Sequence, residues 1–244
     1  MNSAEPIRRG WQDRPMDSTS ALLDNAVWHA LVGPHESFAI GSGAVRRYRP
    51  DVSVFWAVDV LDAPTWTELA AHAAGESVML FRVGAPNPPH GWEILAGGTG
   101  HQMVLSNDPV DVSIHDIIRA LDDDDVPAML ALVERSRPGP FVERTIELGG
   151  YVGIFDDDRL VAMAGRRMHL PGHVEVSAVT TDPDVRGRGY ASALTARVAR
   201  ELRAEGLTPF LHVANGNLGA KRVYERLGFV ERALVSFTSL RPPS

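Results

Sequence analysis

The stretch "TTDPDVRGRGYASALTARVARELRAEG", residues 180–206, sets two glycines and two arginines between an apolar run and a helical pattern. Ala191, Leu194, Val198 and Leu202 recur at the spacing of one helix face, and Gly206 stands just past the end of the pattern. The first turn of a helix has unpaired N–H groups and the positive end of the helix dipole, which together suit an anion. Gly187 and Gly189 let the backbone approach a ligand without a Cβ in the way. Two readings are open at this point: a phosphate or pyrophosphate cradle of main-chain N–H groups, or a plain tight turn carrying two arginines for solubility.

Outward from this stretch the pattern is regular. Upstream, "DDDDVPAMLALVERS" (122–136) predicts a helix with acidic residues at its N-terminus and a stripe of Val126, Met129, Leu130, Leu132 and Val133. "YVGIF", the turn "DDDR" and "LVAMAGRRM" predict a hairpin, and "HVEVSAVTT" (173–181) the next strand. Downstream, "TPFLHVA" (208–214) predicts a strand. "NLGAKRVYERLG" predicts a helix with Asn217 as its N-cap and Gly228 at its close, and "FVERALVSFTSL" supplies the closing strands. The second half is therefore α–β–β–β–α–β–α–β, a mixed α/β sheet arrangement.

Two motifs now stand in order: Arg186-x-x-Gly189-x-Ala191 between a strand and a helix, then Asn217-x-x-Ala220-x-x-x-Tyr224 followed by Leu227-Gly228-Phe229. In this the chain resembles the GCN5-related N-acetyltransferase (GNAT) superfamily over roughly residues 113–240. The resemblance favours the cradle and implies acetyl-CoA as acyl donor. Backbone groups of Val179, Thr180 and Thr181 would lie along the pantetheine arm and the acyl carbonyl. The segment Arg186-Gly187-Arg188-Gly189 and the amides of Tyr190, Ala191 and Ser192 would hold the pyrophosphate. Asn217 and Ala220 would contact the cofactor arm, and Tyr224 would be the general acid for the leaving thiolate. Ala191 replaces the more frequent second glycine, and Thr181 stands where an apolar β-branched residue is commoner.

The chain has no cysteine, which excludes disulfides, thiolate metal sites and an acyl-cysteine intermediate. Transfer would then be direct, resting on positioning, on polarisation of the thioester carbonyl by a backbone N–H and on removal of the amine's proton. His212, at the end of a strand, has a side chain suited to that last task, and Glu175 in the strand leading to the cradle is the other candidate base. Nine histidines occur, none in an HxH or HExxH pattern, and "DDDD" lacks the alternating ligands and glycine of a calcium loop, so no metal is expected.

Composition limits the partners. A formal net charge of −7 argues against nucleic acid. The paired arginines at 46/47, 166/167 and 186/188 are small local exceptions, enough for one anionic ligand. No stretch reaches the roughly 18 apolar residues that span a membrane. Residues 1–20 lack the apolar core of a signal peptide and are expected to be a polar, flexible leader. A cytoplasmic protein, monomeric or homodimeric, is the expectation.

The expected division is an N-terminal α/β half at 21–108 and a catalytic domain at 113–244, with the boundary around 104–113. In the first half, 21–32 and "APTWTELAAHAA" read as helices and "SFAIGSGAVRRY", "VSVFWAVDV" and "SVMLFRV" as strands, with 84–91 a Pro/Gly loop. It has no phosphate loop. FR47-like and glycine N-acyltransferase-like members of the superfamily pair a degenerate half with an active one, and that layout implies that the first half walls the acceptor cleft. Trp28, His35, Phe55 and Trp56 read more readily as core than as pocket. Residues 134–145, with Arg137, Phe141 and Arg144, are the next expected wall. The leading function is acetyl or short-acyl transfer to a primary amine of a small molecule or amino acid. A non-catalytic acyl-CoA sensor and a protein N-terminal or lysine acetyltransferase are the alternatives.

Overall fold

A computed structural model describes residues 21–107 and 117–243. The expected leader and most of the expected boundary lie outside the described residues. The first half contains α1 (Ala26–Leu31), β1 (Ala39–Ile40), β2 (Val45–Tyr48), β3 (Phe55–Val58), α2 (Ala63–Ala73), β4 (Val78–Val83) and β5 (Glu93–Leu105). The second contains β6 (Ile118–Leu121), α3 (Val126–Ser136), β7 (Tyr151–Asp156), β8 (Arg159–Leu170), β9 (His173–Thr181), α4 (Tyr190–Ala204), β10 (Thr208–Ala214), α5 (Leu218–Arg226) and β11 (Phe229–Arg241).

Among the described residues the strands form one eleven-stranded mixed sheet, in the order β1-β2-β3-β4-β11-β5-β10-β9-β8-β7-β6. The two halves repeat one local plan. β3 and β4 are parallel neighbours joined through α2, and β9 and β10 are parallel neighbours joined through α4. Each half sends its last strand to the other: β11 pairs antiparallel with β4, β5 pairs antiparallel with β10, and β5 and β11 lie side by side.

β5 has no signature in the sequence. Residues 93–105 include Gly97, Gly98 and Gly100, which weaken strand propensity and break alternation. The glycines are used: a Cβ on Gly98 would stand 2.3 Å from Cζ of Phe237, so the Phe237 ring lies across β5 where a side chain would otherwise be. The short β6 is likewise unpredicted, and the closing strands are a single strand, bulged between Glu231 and Ala233.

Where the 3.6-residue period is strong, pattern and structure agree. Leu194, Val198 and Leu202 of α4 are buried against Val174, Val176 and Leu211 of the sheet, while Ala191 is half-buried. Burial of side chains of this kind stabilises by about 1.5–3 kcal/mol each. A second core lies on the opposite face, where α1 packs with Phe55, Phe81, Phe210 and Val235. Trp28 and His35 are buried near α1, and Trp56 belongs to a third cluster under α2 with Trp66 and Leu69.

Candidate active site

β9 and β10 pair only from Thr208↔His173 to Phe210↔Glu175. Beyond that point β10 stays with β5 while β9 stays with β8, and the two strands part. β9 is also bulged. Ser177 faces Gly165 and Thr180 faces Met163, so Ala178 and Val179 together oppose Ala164, and Ala178 has φ 51°. A bulge of this kind leaves backbone groups outside the ladder and re-aims them. Splay and bulge open a cleft of about 970 Å³.

All the residues singled out for cofactor binding line this cleft: Val179 to Thr181 on one wall, Arg186 to Ser192 at one end, and Asn217, Ala220 and Tyr224 on the other wall. His212 and Glu175 line it too. Gly187 and Gly189 both have positive φ (84° and 83°). A Cβ on Gly187 would meet nothing within 4 Å, so this stretch of backbone borders open space. No side chain caps the first turn of α4, and Tyr190, Ala191 and Ser192 of that turn line the cleft.

The loop is anchored from behind by Asp182, 1% exposed. One oxygen accepts from Arg135 Nε at 2.7 Å and lies 3.3 Å from Arg159, and the other accepts from the Asp184 N–H at 3.1 Å. The wall beneath is tied by Thr180, whose hydroxyl donates to Ser136 Oγ at 2.8 Å. Among the described residues Thr181 Oγ1, on the cleft wall, is buried without a hydrogen-bond partner. Asn217 caps α5, its Oδ1 accepting from the Ala220 N–H at 3.1 Å. That leaves only its amide N–H groups for a ligand.

Although the chain is acidic, the cleft is basic. Arg137, Arg186, Arg188 and Arg226 line it and are exposed, while Glu175 is the one carboxylate among its described residues. Arg226 escaped the sequence reading because nothing local marks it. The remaining arginine pairs have other tasks. Arg47 bonds Glu76, and Arg166 bonds Glu201 and Glu205. Arg144 is likewise off the cleft, held by Asp51 and Glu147, whereas Ser136 to Phe141 do line it.

Glu175 is 1% exposed and fully engaged. Both oxygens accept from Arg167 at 2.7 Å, and Oε1 also accepts from His212 Nδ1 at 2.7 Å. Burial pushes its carboxyl up, but Arg167 and then His212 outweigh that and hold it down at about 2. A carboxylate held so low has little appetite for a proton, and its bond to His212 Nδ1 holds that ring in place.

Beyond His212 the network continues into the first half. Gln102 Oε1 accepts from Arg232 at 2.8 Å, so its Nε2 is the donor, to Leu23 O at 2.9 Å and to His212 Nε2 at 3.1 Å. His212 is thereby placed as the Nδ1–H tautomer with its lone pair on Nε2. Tyr224 lies on the other face of the sheet, with Leu211, Val213 and Phe229. Burial pushes its phenol up to about 12.

Among the described residues no group of three His, Asp or Glu side chains could hold a metal, and no helix is long and apolar enough to cross a membrane.

A family model described as FR47-like protein matches residues 151–237. Mycothiol acetyltransferase of Geodermatophilus obscurus is 35% identical over 92 residues, and that of Mycobacterium avium 38% identical over 96 residues. These matches cover 35% and 33% of this chain and 30% of each relative's length. A solved GNAT-family structure from Novosphingobium aromaticivorans is 35% identical, with a TM-score of 0.83, and the match covers 91% of this chain and 99% of that one. A GCN5-related N-acetyltransferase from Kribbella flavida, 18% identical with a TM-score of 0.64, covers 94% and 97% and shares the fold.

Proposed function

Because the chain belongs to the GNAT family of acetyltransferases, we propose that it transfers an acetyl group from acetyl-CoA directly to a primary amine of a small molecule. One observation carries this reading: the bulged strand, the open glycine loop and Tyr224 meet in a single basic cleft. The curated relatives are matched over 30% of their length, so they support the type of reaction and leave the acceptor open.

The first half supports a single cofactor site. We take it as a copy of the same plan without the cradle. Its helix α2, the counterpart of α4, is closed by Asp62, whose carboxylate accepts from the Thr65 N–H at 3.0 Å. That end of α2 carries negative charge where α4 offers free N–H groups, so an anion is repelled from one and attracted to the other.

Acetyl-CoA, when bound, supplies an acyl group activated as a thioester. The amides of Tyr190, Ala191 and Ser192 would bind its pyrophosphate, helped by Arg186 and Arg188. The Val179 backbone, freed by the bulge, would polarise the acyl carbonyl. The amine nitrogen forms the C–N bond as the C–S bond breaks. The sulfur takes a proton from Tyr224, and the amine gives one up to His212 Nε2, displacing the Gln102 amide. A phenol with its proton held this firmly remains a donor across the physiological range.

The test is calorimetric titration of acetyl-CoA, CoA and ATP into the protein, followed by thiol release on addition of amines. Binding of the two CoA species but not ATP, with amine-dependent thiol release, is expected. Saturable acetyl-CoA binding with no turnover on any amine would instead favour an acyl-CoA sensor.

A further inference from the structure

We propose that the acceptor is a primary amine carried on an aromatic group. This rests on the acetyl-transfer reading and adds to it the chemistry of the second substrate. The cleft draws its lining from both faces of the sheet. Val176, Val213 and Tyr224 belong to the α4 and α5 side, and Phe55, Phe81 and Val235 to the α1 side. The cradle lies toward the first face, which leaves the second for the acceptor.

On that face the walls are rings. Phe55 and Phe81 stack with centroids 5.4 Å apart at 24°, and the Phe81 ring meets His212 edge-on at 4.5 Å. Phe237 lies over Gly98, and Phe141 closes the side from the loop after α3. Met79 adds a polarizable thioether. The exchange of strands builds this chamber, since Phe55, Met79 and Phe81 come from the first half and Phe237 from the last strand of the second.

The charges decide against other amines. Among the described residues the one carboxylate of the lining is Glu175, and it is saturated by Arg167 and His212. No carboxylate among the described residues of the lining is free to neutralise a second ammonium, which disfavours polyamines and lysine-rich segments. Hydroxyls of an amino sugar set against Phe55, Phe81 and Phe237 would find no hydrogen bond from those rings, a costly desolvation. An aromatic amine offers a ring to the rings and brings one nitrogen to His212, whose Nε2 accepts from the Gln102 amide until the amine displaces it.

The experiment measures kcat/KM by thiol release with 2-phenylethylamine, tryptamine, glucosamine and spermidine. The same amines are titrated calorimetrically into the CoA-loaded protein, and acetyl-CoA into the free protein. At least thirtyfold preference for the two aromatic amines in kcat/KM, or in binding where turnover is slow, is expected. The half-buried Phe237→Ala should raise KM for 2-phenylethylamine at least tenfold and leave acetyl-CoA binding unchanged, and Phe237→Tyr should restore it. Equal or better use of glucosamine or spermidine overturns the proposal. So does acetyl-CoA binding without binding or turnover of either aromatic amine. Failure of acetyl-CoA itself to bind would overturn the acetyl-transfer reading instead.

Discussion

The cradle can be tested at Gly189 with two nearly isosteric side chains. Gly189 has φ 83° and is exposed, at the mouth of the loop before α4. Asn and Asp both tolerate positive φ better than other residues, so they carry a similar, small backbone cost. They differ in one negative charge beside the site assigned to the pyrophosphate. At an exposed position the dielectric is close to that of water, and two unit charges about 4 Å apart interact by about 1 kcal/mol. Two phosphate charges then make Gly189→Asp weaker than Gly189→Asn by about 2 kcal/mol, or about 30-fold in Kd. The assay is calorimetric titration of CoA into both variants and wild type at low and high ionic strength. Salt should shrink the gap between Asp and Asn, because exposed charges are screened over about 10 Å at 0.1 M. An Asp variant that binds CoA within twofold of the Asn variant at low salt would place the pyrophosphate elsewhere and refute the cradle.

Tyr224→Phe should leave CoA binding largely intact and lower turnover by about 10²–10⁴-fold, the span of a lost general acid, measured by steady-state thiol release. Arg167→Met leaves the Glu175 carboxylate buried without its main partner. It should cost about 3–5 kcal/mol of stability in chemical denaturation. The Glu175 carboxyl has its native pKa lowered to about 2 from 4.5. Its contribution is therefore complete above about pH 4.5 and is lost as pH falls toward 2, and Glu175→Gln should flatten that part of the acid-denaturation curve. Asp182→Ala removes the buried anchor of the cradle loop and should lower stability by about 1.5–3 kcal/mol and weaken CoA binding several-fold, read by denaturation and calorimetry.

Local pattern was enough for the elements that carry the cradle. The strand at 173–181, the helix opening near 191 and the Asn217 cap follow from period, glycine position and capping chemistry, because each is a contest decided within a few residues. The residues proposed for the reaction, His212, Glu175 and Tyr224, all line one cleft. Their partners were not legible in the sequence. Arg167, eight residues from Glu175, returns along β8 to bond both its oxygens. Gln102, which orients His212, lies 110 residues away in a strand rich in glycine.

The sequence by itself determined the strand–loop–helix that suits a polyanion, the exclusion of an acyl-cysteine intermediate and the order of elements in the second half. Tertiary structure alone decided the rest. β5 is a strand because β10 and β11 bond it on either side, and such pairing leaves no mark on the paired segment's own pattern. The chamber for the acceptor likewise belongs to neither half. Phe55, Phe81 and Phe237 are unremarkable core residues along the chain, and they become a binding surface only where β9 and β10 part beside the exchanged strands.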